Sequence, residues 1–381
     1  MKVAILGFGT VGRGAYEAIR DRGDTSLTVA KILDRRIPAG YEGLVTTDPE
    51  RILADPQIGI VAEAMGGLHP AYEYLTRAME AGKSVVTSNK HLVCTYYTEL
   101  HTLARKCGVR FRYTPSVGGG IPWLHNLIRT KEADRIRAVW GIMNGTTNYI
   151  LDAMTCRGIG FAEALADAQK LGYAEADPAA DIDGWDVRRK CAISASVAFD
   201  CAVREEDVPT LGIRCVTEED IRRAEGMGKV LRLLAFAEER DGRISACVEP
   251  FLVSREATEA SVHRNFNCIS LSGGKVGQLT FIGQGAGKEP TGMALALDMA
   301  DIARGTGADD AVCTPAVMDG GIHPHVYYVR TKAKLPEKVI RLHLDGAVIT
   351  HPLAPASAGD LFRAAAQDDP ALFAAGMEDG R

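Results

Sequence analysis

The chain has 381 residues, 46% hydrophobic and 24% charged, with a net charge of −5 and a pI near 6.0. This is a globular composition, long enough for two domains, with no basic field for nucleic acid. No apolar run approaches the roughly 18 residues of a membrane span. The nine cysteines form no Cys-x-x-Cys pair and are odd in number, which suits reduced thiols better than disulfides or zinc.

Lys2-Val3-Ala4-Ile5-Leu6 reads as a buried strand that starts at once, with no leader before it. The expected compartment is the cytoplasm. Gly7-Phe8-Gly9-Thr10-Val11-Gly12 follows directly, then a helical pattern to about Arg20. Between a strand and a helix, Gly-x-Gly-x-x-Gly is a dinucleotide-binding turn. Its glycines allow the bend and let a pyrophosphate approach the helix N-terminus. Thr28 to Leu33 is the second strand, and Asp34 ends it 22 residues after Gly12. An acid there binds the adenosine ribose and repels a 2′-phosphate. Arg35 and Arg36 come next, and guanidinium groups bind phosphate. The residues therefore pull both ways between NAD and NADP, with a lean to NAD.

Ile58 to Ala62 is a third strand and ends in Glu63-Ala64-Met65-Gly66-Gly67. A helix is expected from Pro70 to Ala81, with proline in its first turn. Ser84 to Thr87 is a strand, with Ser88-Asn89-Lys90 at its carboxyl end, the edge where open α/β sheets bind ligands. Taken alone, Lys90 reads equally as a helix-flanking surface lysine. A helix over Tyr96–Cys107 and a strand over Val109–Tyr113 lead into the glycine-rich stretch 114–122.

The pattern changes near residue 130. Ile136 to Ile142 alternates like a strand with one wet face. Helices are expected at Thr147–Cys156, Phe161–Leu171 and Gly184–Phe199, a strand at Arg243–Val253, and two short strands around Ser272-Gly273-Gly274. A helix follows from about Met293 to Arg304. The fold class is α/β: a Rossmann-type doubly wound parallel sheet, then a mixed α+β domain. The tail offers a hairpin, Val339–Leu344 and Ala347–Thr350, turning at Asp345-Gly346, and a short helix.

The most telling stretch runs from Gly172 to Lys190. Its five acids lie in a run rich in glycine, proline and alanine that opens a helix. Asp186 and Lys190 share a helix face. One reading is a solvated acidic loop with a surface ion pair. The other is a site for a small amino acid, with Tyr173, Glu175, Asp181 and Asp186 holding its polar ends and Lys190 moving a proton at its reacting oxygen.

This stretch resembles the signature of homoserine dehydrogenases, and so does Gly145-Thr146-Thr147-Asn148-Tyr149-Ile150-Leu151 before it. The resemblance runs with gaps from about residue 1 to 325. It implies NAD(P)-dependent interconversion of L-homoserine and L-aspartate 4-semialdehyde, in threonine and methionine biosynthesis. It implies a second catalytic lysine, Lys90, with Ser88 and Asn89 near the cofactor. It implies a segment near 285–322 returning to the nucleotide domain (1–130), with Gly287 facing the cofactor. Residues 131–284 become the substrate and dimerisation domain, whose sheet pairs with a second subunit in a homodimer. It also implies a monovalent cation (Na+) held by backbone carbonyls of the 114–122 loop, although Thr114-Pro115 stands where Glu-Ala is usual. Residues 325–381 start like a regulatory ACT domain but are too short for one, and read as a structural extension. The competing readings are another NAD(P)-dependent oxidoreductase of a small amino or hydroxy acid, and a non-catalytic dinucleotide sensor. No metal-ligand spacing is visible.

Overall fold

The computed structural model describes residues 1–22, 26–306 and 313–378. The chain forms two compact units. The first comprises Met1–Ala133, Asp200–Ala202 and Gln284–Pro315; the second comprises Asp134–Phe199, Val203–Gly283 and the stretch from Ala316 onward. Residues 307–312 of the returning segment and 379–381 of the tail lie outside the described residues.

The first unit is built on a six-stranded sheet. Its strands are β1 (Lys2–Leu6), β2 (Thr28–Leu33), β3 (Val45–Thr46), β4 (Ile58–Glu63), β5 (Ser84–Thr87) and β6 (Phe111–Arg112), in the order β3-β2-β1-β4-β5-β6. All neighbours pair in parallel. Parallel sheets need cover on both faces, which is why β1 and β4 read as continuous apolar runs. On one face Ile5, Ile32 and Ile60 pack with Ala15 and Ile19 of the helix Thr10–Asp21, and with Leu295, Met299 and Ile302 of the helix Lys288–Arg304. That second helix starts five residues before the expected Met293. Pro70 precedes its helix, Ala71–Glu80, rather than sitting inside the first turn.

The second unit carries a nine-stranded mixed sheet: β7 (Ile136–Ile142), β8 (Lys229–Arg240), β9 (Arg243–Ser254), β10 (Phe266–Gly273), β11 (Gly277–Gln284), β12 (Val326–Arg330), β13 (Ile340–Leu344), β14 (Ala347–Thr350) and β15 (Phe373–Met377). Their order is β11-β10-β7-β8-β9-β15-β12-β14-β13. The helix Trp185–Phe199 packs across β7, β8 and β9 and is buried nearly all round from Asp186 to Ala198. This explains why its sequence shows no amphipathic stripe. The tail hairpin forms as expected and joins the same sheet. β15 was not expected. It pairs parallel to β9 and antiparallel to β12, between two strands already formed by earlier sequence.

Candidate functional site

In the second unit, four polar side chains gather where β7 gives way to a helix. Asn144 follows the strand and caps the helix Gly145–Arg157: its Oδ1 accepts from Thr147 N at 2.8 Å. Its Nδ2 donates to two carboxylates, Asp181 Oδ1 at 2.6 Å and Asp186 Oδ2 at 2.9 Å. Asp186 lies in the first turn of the helix Trp185–Phe199, and one turn later Lys190 Nζ donates to its Oδ2 at 2.7 Å. Lys190 Nζ also donates to Met143 O at 2.7 Å.

Asn144, Asp186 and Lys190 are buried, so this is not the solvated pair that spacing alone allowed. Asp181 is the half-buried outer member. Burial, and then the charge of Asp186, push its pKa up. The network thus holds two carboxylates against one ammonium, with an amide between them. Such an arrangement takes up a further cation readily.

Around it, Thr146 Oγ1 donates to Tyr173 O at 2.6 Å, and the ring of Tyr173 meets that of Tyr149 edge-on at 5.2 Å. Glu175 is exposed and stands outside the network. Asp183 is tied to Arg214 by two bonds of 2.9 and 2.7 Å. Asp177 turns back on Ala179 N.

In the first unit, the glycine-rich turn has the geometry a dinucleotide needs. Gly7 has φ +96°, and a Cβ on Gly12 would stand 1.9 Å from Gly7 O, so only glycine closes this bend. The helix starts at Thr10 with no side chain capping it, which leaves its first N–H groups to an anion. Asp34 Oδ2 accepts from Phe8 N at 2.7 Å and Oδ1 from Arg36 N at 3.2 Å. The acid therefore braces the turn. Val11 packs against the core of this unit, and Arg35 is exposed. Gly287, at φ +125°, precedes the helix Lys288–Arg304.

At the carboxyl ends of β4 and β5, Asn89 caps the short helix Lys90–Thr95, its Oδ1 accepting from Leu92 N at 3.2 Å. Lys90 is the first residue of that helix and is half-buried. Thr114 is held by Asp298: its N–H bonds Oδ2 at 3.0 Å and its hydroxyl bonds Oδ1 at 2.7 Å.

Two family models match the chain: "Homoserine dehydrogenase, NAD binding domain" over residues 7–114 and "Homoserine dehydrogenase" over residues 122–300. A homoserine dehydrogenase from Synechocystis sp. is 41% identical over 317 residues, covering 79% of this chain and 73% of its own. The chain belongs to the homoserine dehydrogenase family. It is an NAD(P)-dependent oxidoreductase, and the dinucleotide-binding and Rossmann readings of its first unit hold. A crystal structure of a homoserine dehydrogenase from Thiobacillus denitrificans superimposes with a TM-score of 0.89 at 30% identity, covering 100% of this chain and 98% of its own. A hyperthermophilic archaeal homoserine dehydrogenase in complex with NADPH has a TM-score of 0.69 at 26% identity, covering 81% of this chain and 100% of its own. No helix among the described residues is long and apolar enough to cross a membrane.

The sequence alone singles out neither Asn144 nor Asp298. Asn144 had a visible signal, since an asparagine before a helical run is a capping candidate. Asp298 had none, being one acid in an alanine-rich helix. The side chain of Glu63 proves fully buried, which no local pattern announces.

Proposed function

We propose that the second unit binds the amino-acid end of homoserine through Asp181, Asp186 and Asn144, and that Lys190 handles the proton at its reacting oxygen. The observation that carries this reading is the Lys190–Asp186–Asn144–Asp181 network, buried except for its half-buried outer member Asp181. A purely structural i,i+4 pair has no need of a second carboxylate held against it by an amide. Two of the three protons of Lys190 Nζ are engaged, by Met143 O and Asp186. The third is available to a hydroxyl or carbonyl oxygen. Tyr173 and Glu175 form the outer rim of this substrate end.

The first unit takes the dinucleotide along Gly7, Phe8, Gly9, Thr10, Val11 and Gly12, with Asp34 and Arg35 at the ribose and Ser88, Asn89 and Gly287 at further edges. When bound, the nicotinamide supplies or accepts the hydride. Lys90 is the second proton-handling lysine, half-buried at a helix start at the edge where open α/β sheets hold their ligands. Asp34 favours NAD over NADP. A monovalent cation (Na+) held by backbone carbonyls of the 114–122 loop belongs to the same proposal, with Thr114 itself tied to Asp298 through its side chain and N–H. A homodimer working in the cytoplasm completes the proposal.

The test is absorbance at the reduced-nicotinamide band with purified protein, L-homoserine and each cofactor. An increase that needs homoserine supports the reading. No change with either cofactor overturns it.

A further inference from the structure

Two turns at the sheet edge of the first unit are held by one buried carboxylate. Glu63 is the last residue of β4 and is 0% exposed. Its Oε1 accepts from Met65 N at 2.7 Å and from Gly66 N at 3.0 Å. Its Oε2 accepts from the hydroxyl of Thr87, the last residue of β5 and its cross-strand partner. Thr87 Oγ1 in turn accepts from Asn89 N at 2.9 Å, and Asn89 Nδ2 donates to Gly67 O at 2.6 Å. The ring of bonds closes: Glu63, the 65–67 turn, Asn89, Thr87 and back to Glu63. The first residue after it is Lys90.

Resting on the role given to Lys90 above, we propose that Glu63 is a positioning residue: it locks the 64–67 and 88–90 turns together and thereby sets where Lys90 stands. A carboxylate suits the task because it only accepts, and three donors converge on it. Glutamine would turn an N–H toward Thr87 in place of the oxygen that accepts its hydroxyl proton, leaving that proton without its acceptor. A buried carboxylate is costly to keep, and burial pushes the pKa of Glu63 up despite these donors.

The experiment uses the full-length protein with Glu63→Gln, Thr87→Val and Thr87→Ser, and Lys90→Ala alongside. Binding of ADP-ribose, which lacks the nicotinamide, is measured directly, together with kcat and the KM for homoserine. A misplacement of about 1 Å costs on the order of 100-fold. Glu63→Gln and Thr87→Val should therefore lower kcat by about 10- to 100-fold, with ADP-ribose affinity and homoserine KM kept within about threefold. Thr87→Ser keeps the hydroxyl and should restore turnover. The Glu63→Gln/Thr87→Val double variant should be no worse than the weaker single, because both break one ring. If Glu63→Gln does not fold, Thr87→Val decides. Wild-type kcat in the folded variants, or ADP-ribose affinity falling in step with kcat, overturns the proposal. Loss in Lys90→Ala with none in the other two overturns the positioning role alone. Wild-type turnover in Lys90→Ala overturns the reading on which it rests.

Discussion

Lys190 Nζ lies 2.7 Å from Asp186 Oδ2, and the two side chains are only 9% and 8% exposed. A surface pair at this spacing is worth about 0.3–0.5 kcal/mol. A buried one behaves differently, since removing either partner strands a charge at a cost of about 3–5 kcal/mol.

Lys190→Ala should therefore lower both turnover and stability. Loss of a proton-handling group costs about 10²–10⁴-fold in kcat. Pairing the change with Asp186→Asn removes the stranded charge. The double variant Asp186→Asn/Lys190→Ala should regain much of the melting temperature and none of the turnover. Full turnover in a folded Lys190→Ala enzyme would show that the pair is only structural.

Asp181 should set the acid limb of substrate binding. Its pKa is raised by burial and by the neighbouring Asp186. As pH falls through that raised value, Asp181 takes a proton and loses its hold on an ammonium. The KM for homoserine should rise accordingly, while kcat changes less. Asp181→Asn should show a high KM at every pH, without the limb. Asn144→Ala should raise the KM as well, because the amide that separates the two carboxylates is gone. A KM profile identical in wild type and Asp181→Asn would refute this.

Cofactor choice turns on Asp34. Wild type is expected to use both dinucleotides with a lean to NAD. Asp34→Ala removes the repulsion of a 2′-phosphate and should shift the ratio of kcat/KM toward NADP. It also removes the bond to Phe8 N, so affinity for both cofactors should fall. A wild-type preference for NADP of 100-fold, about 2.7 kcal/mol, would count against this role of Asp34.

Asp298 should make the first unit sensitive to pH. Burial pushes its pKa up to about 7, against about 3.9 in an unfolded chain. The folded state thus binds the proton more tightly. Its contribution to stability is full below about pH 4 and is lost as pH rises through about 7. Melting temperatures followed from pH 5 to 8 should fall more in wild type than in Asp298→Asn, which cannot ionise. Equal slopes would place the pH dependence elsewhere.

The parallel sheet was legible because local signals agreed. Apolar runs such as Val3–Leu6 and Ile58–Ala62 alternate with helical periods, and the turn 7–12 stands between a strand and a helix, as a dinucleotide-binding turn does. The site was legible in part: Asp181, Asp186 and Lys190 do gather, as the spacing and the resemblance implied. Glu175 lies in the same acidic run yet stays exposed, because chain direction after Tyr173 decides which acids turn inward. β15 could not be read from its residues. Phe373-Ala374-Ala375-Gly376-Met377 has no alternation, and its pairing depends on β9, more than a hundred residues away. A Cβ on Gly376 would stand 2.2 Å from Glu249 Oε1, so the glycine that weakens a strand signal is what lets this strand fit. Tertiary context overrode propensity there.

That strand also dictates an order of assembly. β12, β14 and β13 reach β9 only across β15, which comes later in sequence than all four. Until β15 arrives, the second unit holds two incomplete sheets with a slot one strand wide between them. Filling the slot closes a long chain loop, and non-local closures of this kind are slow. Refolding from denaturant should then show helix Trp185–Phe199 and β7–β9 protected early against amide exchange, and β12 protected late, together with β15. In the interval the two facing edges are open to strands of other chains, so yield on refolding should fall steeply with protein concentration.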